Sequence, residues 1–127
     1  MFSIRISTVF SAAHALRLPD GSLEPLHGHN WRVEVQVEAD DLDAMGTVMD
    51  FHQLESSLQA VVAPMHNANL NDLPEFSERN PSAELVALTI AERLVLPEHV
   101  RLGRVRVEEA AGCQATYIPG RPPADPR

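Results

Sequence analysis

Apolar and polar residues alternate from Phe2 to Ala12. Phe2, Ile4, Ile6, Thr8 and Phe10 take one side, and Ser3, Arg5, Ser7, Val9 and Ser11 the other. A period of two is the signature of a strand with one buried face. Leu18-Pro19-Asp20-Gly21-Ser22 carries strong turn chemistry. A second alternation runs from His27 to Ala39, with His27, His29, Trp31, Val33, Val35 and Val37 on one face and Asn30, Arg32, Glu34, Gln36 and Glu38 on the other. The period then changes. Phe51, Leu54, Leu58, Val61 and Met65 recur at helical spacing, which predicts a helix over about Phe51–Ala63, with Asp50 as N-cap, Gln53 in a capping-box position and Pro64 near its end. His66 to Asp72 is polar and asparagine-rich, and is expected to be a loop. Asn80-Pro81 predicts the start of a second helix, with proline at its first position, an apolar stripe of Leu85, Leu88, Ala91 and Val95, and a stop at Pro97. Two more strands follow, Val100–Glu109 and Gln114–Ile118.

Two strands, two helices and two strands, with short connections within each strand pair, imply antiparallel hairpins and an α+β layer structure: a four-stranded antiparallel sheet with two helices on one face. Such a sheet has two open edges, and edge-to-edge assembly into a closed barrel would remove them. A length of 127 residues is expected to form a single domain over residues 1–119, followed by a proline-rich tail, 120–127, expected to be disordered. There is no apolar run of membrane-spanning length, and the N-terminus alternates where a signal peptide would be an apolar block. Cys113 is the one cysteine, so no intrachain disulfide can form; these features fit a cytoplasmic protein with no membrane partner. A formal net charge of −8 argues against a nucleic-acid binder. An anionic small molecule would need only a local cluster of cations, and Arg5, Arg17 and Arg32 stand near strand ends.

Side chains two apart on a strand share a face, so His27 and His29 can reach one ion, and His14, at the end of the first alternating run, could complete a set of three. Three neutral imidazoles and one open position make up the ligand count of a catalytic zinc site. Most His-x-His pairs coordinate nothing, and spacing alone is equally satisfied by structural histidines.

What surrounds the pair shifts that balance. Phe10-Ser11-Ala12-Ala13-His14, Leu26-His27-Gly28-His29-Asn30, Val48-Met49-Asp50-Phe51, Leu70-Asn71-Asp72 and Asn80-Pro81-Ser82-Ala83-Glu84 occur in that order. Together they resemble the 6-pyruvoyl tetrahydropterin synthase and 6-carboxytetrahydropterin synthase family. The resemblance implies the tunnelling fold, a β-β-α-α-β-β subunit that assembles into a homo-oligomer, trimers closing a barrel and usually stacked as hexamers. It implies a zinc-dependent lyase acting on the side chain of a reduced pterin, dihydroneopterin or its triphosphate. His14, His27 and His29 match the zinc ligands, and Glu109 matches the carboxylate that anchors the pterin and joins the proton network. The chemistry suits that role, because a pterin edge presents adjacent N–H donors and a carboxylate accepts two at once.

The chain also departs from the pattern. Where the family has a cysteine base, four residues before the first histidine of His-Gly-His, this chain has Leu23, and Cys113 does not match. The adjacent Glu24 resembles the subgroup that uses a glutamate there, associated with cleavage of dihydroneopterin to 6-hydroxymethyl-dihydropterin. The family's Asp-His relay, counted from Asp50-Phe51, falls on His66 and Asn67; asparagine cannot shuttle protons, and His66 would serve if the loop shifts by one residue. His52 and His99 are expected on the surface with no role. The favoured activity is the lyase, with Glu24 as base, His66 as acid–base partner and Glu109 as anchor. The alternative is a non-catalytic pterin-binding paralogue of the same fold.

Overall fold

The computed structural model describes residues 1–120, so the expected tail, Gly120 apart, lies outside the described residues. Strands β1 (Phe2–His14) and β2 (His27–Ala39) pair antiparallel in unbroken register, from Phe2 opposite Ala39 to His14 opposite His27. A short strand, β3 (Ala68–Asn69), runs parallel to β1 at Ala12 and Ala13. Strand β4 (Arg101–Ala110) pairs antiparallel with β2, and β5 (Cys113–Tyr117) with β4. The sheet order is β3-β1-β2-β4-β5.

The fold is the expected α+β arrangement with five strands in place of four. The additional strand lies in the segment expected to be a loop. Asn67 adopts a left-handed φ of 59° and its N–H donates to the Ser11 carbonyl at 2.6 Å, which turns Ala68 and Asn69 alongside β1. Two residues are too few to leave a periodic trace.

Helices α1 (Phe51–Val62) and α2 (Ala83–Arg93) lie on one face of the sheet. Asp50 caps α1 by accepting the His52 N–H. Helix α2 begins at Ala83 and not at Pro81, because Ser82 is its cap, accepting the Leu85 N–H, while Asn80 and Pro81 turn their polar groups toward β1. Its buried stripe is Ala83, Val86, Ala87 and Ile90, with Leu85, Leu88 and Ala91 only half-buried and Val95 exposed. The helix is apolar nearly all round, so several stripes fit the sequence, and the packing against β4 and β5 selects one.

The core forms between sheet and helices. Trp31, Val33, Val35 and Val37 from β2 and Val105 and Val107 from β4 meet Leu54, Leu58, Phe76, Val86 and Ile90, all of them buried. On β4 the apolar phase shifts between Leu102 and Val105. A bulge at Gly103 reconciles it, since Gln36 pairs Arg104 while Val37 pairs Leu102, leaving Gly103 as the extra residue. A side chain there would sit 3.1 Å from the Gln36 carbonyl and 3.3 Å from Glu38. A second bulge leaves Glu109 as the extra residue between the pairs Glu108–Gln114 and Ala110–Cys113. No helix among the described residues is long and apolar enough to cross a membrane. Replacing Gly103 by valine should destabilise the fold by about 1–3 kcal/mol through crowding at the bulge, read as a lower urea midpoint at unchanged m-value.

Candidate metal centre

The last pair of the β1–β2 ladder sets His14 against His27, and the period of two brings His29 to the same face. Beneath them lies Trp31, with ring centroids 4.8 Å from His14 and 5.6 Å from His29 and both imidazoles edge-on to the indole. The indole is stacked on Phe10 and its Nε1–H donates to the Ala12 carbonyl at 3.1 Å. The imidazoles therefore stand on an aromatic floor continuous with the core.

Two backbone carbonyls fix the tautomers. His14 Nδ1 lies 2.7 Å from the Pro81 carbonyl and His27 Nδ1 lies 2.8 Å from the Pro25 carbonyl. A carbonyl can only accept, so each ring carries its proton on Nδ1 and presents a lone pair at Nε2. Those two Nε2 atoms are 3.1 Å apart. The Glu109 carboxylate Oε1 lies 2.8 Å from His14 Nε2 and 3.2 Å from His29 Nε2. The His29 Nε2 is buried and has no hydrogen-bond partner, its approach to Glu109 falling outside hydrogen-bonding geometry.

One ligand atom from each of His14, His27, His29 and Glu109 thus falls within 4.8 Å of the others. Lone pairs facing one another at such range repel unless a positive charge lies among them. Tetrahedral zinc with nitrogen ligands at 2.0–2.1 Å has ligand–ligand edges of about 3.3 Å, close to the short separations seen here. The donor set fits a borderline divalent transition ion. Burial lowers the His29 pKa from its ordinary value; the neighbouring His14 and His27 act in the same direction and Glu109 opposes them. The neutral, ligating form of that ring is favoured.

Glu24 stands beside the cluster. Its Oε1 accepts the Leu16 N–H at 3.0 Å and lies 4.0 Å from His27 Nε2. Leu23 is exposed and its backbone bridges to Arg17. His66 is not among the four clustered residues; its Nδ1 accepts the Ser11 N–H at 3.1 Å, beside the β3 edge. Of the three arginines near strand ends, Arg5 pairs with Glu34, and Arg17 donates to the carbonyls of Phe76 and Arg79. Arg32 is exposed in mid-β2. His52 and His99 are exposed, as expected.

Glu109 also heads a cavity of about 330 Å³ lined by Ala83, Glu84, Cys113, Gln114, Ala115 and Thr116. A cavity of about 370 Å³ borders His29 together with Ser11, Ala13, Gly28, Asn30 and Asn67, whereas one of about 650 Å³ around Arg79 and Glu92 touches none of the clustered histidines. The structure brings together the three histidines named from the sequence and sets Glu24 beside them. Sequence reasoning missed the contact of Glu109 with the imidazoles and the role of the Pro25 and Pro81 carbonyls, which leave no mark in side-chain pattern.

The sequence profile of the family described as 6-pyruvoyl tetrahydropterin synthase matches residues 3–119. The chain belongs to that family. It is 38% identical over 102 residues to the dihydroneopterin monophosphate aldolase of Pyrococcus furiosus, covering 79% of this chain and 82% of the relative. It is 32% identical over 117 residues to the 6-carboxy-5,6,7,8-tetrahydropterin synthase of Synechocystis, covering 88% and 89%. The Caenorhabditis elegans 6-pyruvoyl tetrahydropterin synthase structure superposes with a TM-score of 0.80 at 23% identity, covering 94% of this chain and 96% of that one, so the fold is that of the 6-pyruvoyl tetrahydropterin synthases.

Within this family member, Trp31→Phe should lower stability by about 1–3 kcal/mol, because the bond to Ala12 is lost and a void opens beneath the histidines. Urea unfolding followed by far-UV dichroism would measure it.

Proposed function

We propose that the protein is a zinc-dependent lyase of the aldolase type, cleaving the side chain of dihydroneopterin or one of its phosphates to 6-hydroxymethyl-dihydropterin. The observation that carries this reading is the set of convergent imidazole Nε2 atoms with a single outlying carboxylate, Glu24, 4.0 Å from one of them. The resemblance to the Pyrococcus furiosus aldolase supports it. So does the Plasmodium vivax 6-pyruvoyltetrahydropterin synthase, of which one solved variant has a catalytic glutamate replaced by alanine.

His14, His27 and His29 would hold the ion, which when bound supplies Lewis acidity toward the oxygens of the pterin side chain. The cavity headed by Glu109 would take the ring, with the carboxylate accepting from its N–H edge and leaving the histidines for the side chain. Glu24 is the base. The Leu16 N–H holds its Oε1, which leaves Oε2 to take the proton of the side-chain hydroxyl next to the carbon that remains on the pterin. As that O–H proton leaves, the carbon–carbon bond between the first two side-chain carbons breaks. The hydroxyl carbon departs as an aldehyde, and the electron pair passes into the C6–N5 imine of the ring. Reprotonation at the remaining carbon completes the product. His66, whose Nδ1 accepts the Ser11 N–H so that the neutral ring carries its proton on Nε2, is the second acid–base group of the proposal.

The reading includes a homo-oligomer. β3 covers β1 only at Ala12 and Ala13, so among the described residues the edge of β1 from Phe2 to Phe10 is left unpaired at one side of the sheet and β5 is open at the other, which supports closure between subunits. A second reading, a non-catalytic pterin binder, is favoured by Asn67 at the relay position and by His66 not being among the clustered residues.

The test is incubation of the zinc-loaded protein with dihydroneopterin, its monophosphate and its triphosphate, followed by product chromatography. Release of 6-hydroxymethyl-dihydropterin supports the aldolase, and retention of unchanged pterin supports the binder. His27→Ala should abolish both zinc content and turnover; near-stoichiometric zinc in that variant would contradict the ligand assignment. Glu24→Gln should keep zinc and lower kcat by about 10²–10⁴-fold, while an unchanged rate would move the base elsewhere.

A further inference from the structure

Beyond His14 the chain leaves β1 as the segment Ala15-Leu16-Arg17, which directly follows a proposed ligand and carries the group that holds the proposed base. Main-chain groups of successive residues in an extended chain point to opposite sides, so those of every second residue share one. On one side the returning turn supplies backbone partners: the Glu24 N–H donates to the Leu16 carbonyl at 3.0 Å and the Leu18 N–H to the Ser22 carbonyl at 2.7 Å. The Leu16 N–H goes to the Glu24 side chain at 3.0 Å.

On the other side the partners are two asparagine side chains. Asn71 Oδ1 accepts the Ala15 N–H at 2.8 Å and its Nδ2 donates to the Ala15 carbonyl at 2.7 Å. Asn80 Oδ1 accepts the Arg17 N–H at 2.7 Å and its Nδ2 donates to the Arg17 carbonyl at 3.0 Å. A primary amide carries the same donor and acceptor as a peptide group, so each asparagine stands in for one rung of a missing strand. Both are themselves fixed. Asn71 donates its N–H to Asn69 Oδ1 at 3.1 Å, and Asn80 precedes Pro81, whose carbonyl receives His14 Nδ1.

We propose that Asn71 and Asn80 are positioning residues of the active site. They clamp residues 15–17 so that the His14 ring, between the end of β1 and the Pro81 carbonyl, and the Glu24 carboxylate, on the Leu16 N–H, keep a fixed separation. Asparagine is required because aspartate keeps the acceptor but loses the Nδ2 donor and sets a negative charge against a carbonyl, and alanine loses both bonds. The effect on turnover rests on the proposed zinc-lyase reading; the effect on the His14 ring does not.

The test uses the full chain with Asn71→Ala and Asn80→Ala, and Asn71→Asp and Asn80→Asp as forms that keep one of the two bonds should the alanine forms fail to fold. Zinc affinity by chelator competition should fall about 10–100-fold, as for other groups that orient metal ligands. With the variants zinc-saturated, kcat should fall by a similar factor at unchanged KM. In metal-free protein, long-range ¹H–¹⁵N spectra should show the His14 Nδ1–H signal shifted or lost. Variants that melt earlier yet keep zinc affinity, the kcat-to-KM balance and the His14 signal would overturn the proposal. If wild-type protein turned over no pterin, the lyase reading would fail while the zinc and imidazole measurements still decided the clamp.

Discussion

Three imidazole Nε2 atoms and one carboxylate oxygen are packed together at a range that only a positive charge makes tolerable. The rings cannot escape by swapping tautomers, because the Nδ1 atoms of His14 and His27 are committed to the carbonyls of Pro81 and Pro25. Nor can His14 turn to water, being 1% exposed with Trp31 against it. In the proposed reading zinc supplies the charge, and the surrounding structure serves to keep three imidazoles aimed at one point with Glu109 beside them. The ion's binding energy would then add to folding stability, since the unfolded chain offers no such site.

The groups of the site come from several structural devices. The β1–β2 ladder aligns His14 with His27 and carries His29 two residues on. The bulge at the end of β4 brings Glu109 into the cluster. A turn returning from β1 carries Glu24 back along Leu16, and the approach to α2 offers the Pro81 carbonyl before Ser82 begins the helix. The site depends on contacts between residues far apart in sequence, Ala15 with Asn71 at a separation of 56, Arg17 with Asn80 at 63 and His14 with Pro81 at 67, so it needs the packed fold. A conformational lock of this kind limits how far the histidines can relax when no ion is present.

Strong periodicity was legible in the sequence and weak periodicity was not. Strands β1 and β2, the helix at Phe51–Val62 and the shared face of His27 and His29 follow from alternation and spacing alone. The pair at Ala68–Asn69 is too short to announce itself, and the apolar surround of Ala83–Arg93 hides which stripe is buried. Asn80-Pro81 has the form of a helix start, yet its polar groups are spent on Arg17 and His14. The three clustered histidines were visible as residue types. Glu109 carried a role only through family resemblance, and its approach to the imidazoles comes from a bulge that no hydrophobic pattern marks. Asn71 and Asn80 bond to backbone through side-chain amides, which leave no period and read in sequence as ordinary turn residues.

The central claim is that imidazoles from β1 and β2 grip one zinc ion. X-ray absorption at the zinc edge of the purified full-length chain tests it most directly. The account predicts about one zinc per chain with three imidazole nitrogens at 2.0–2.1 Å and a light fourth scatterer. Protein that takes up no zinc, or a sulfur scatterer near 2.3 Å indicating a thiolate ligand, would contradict it.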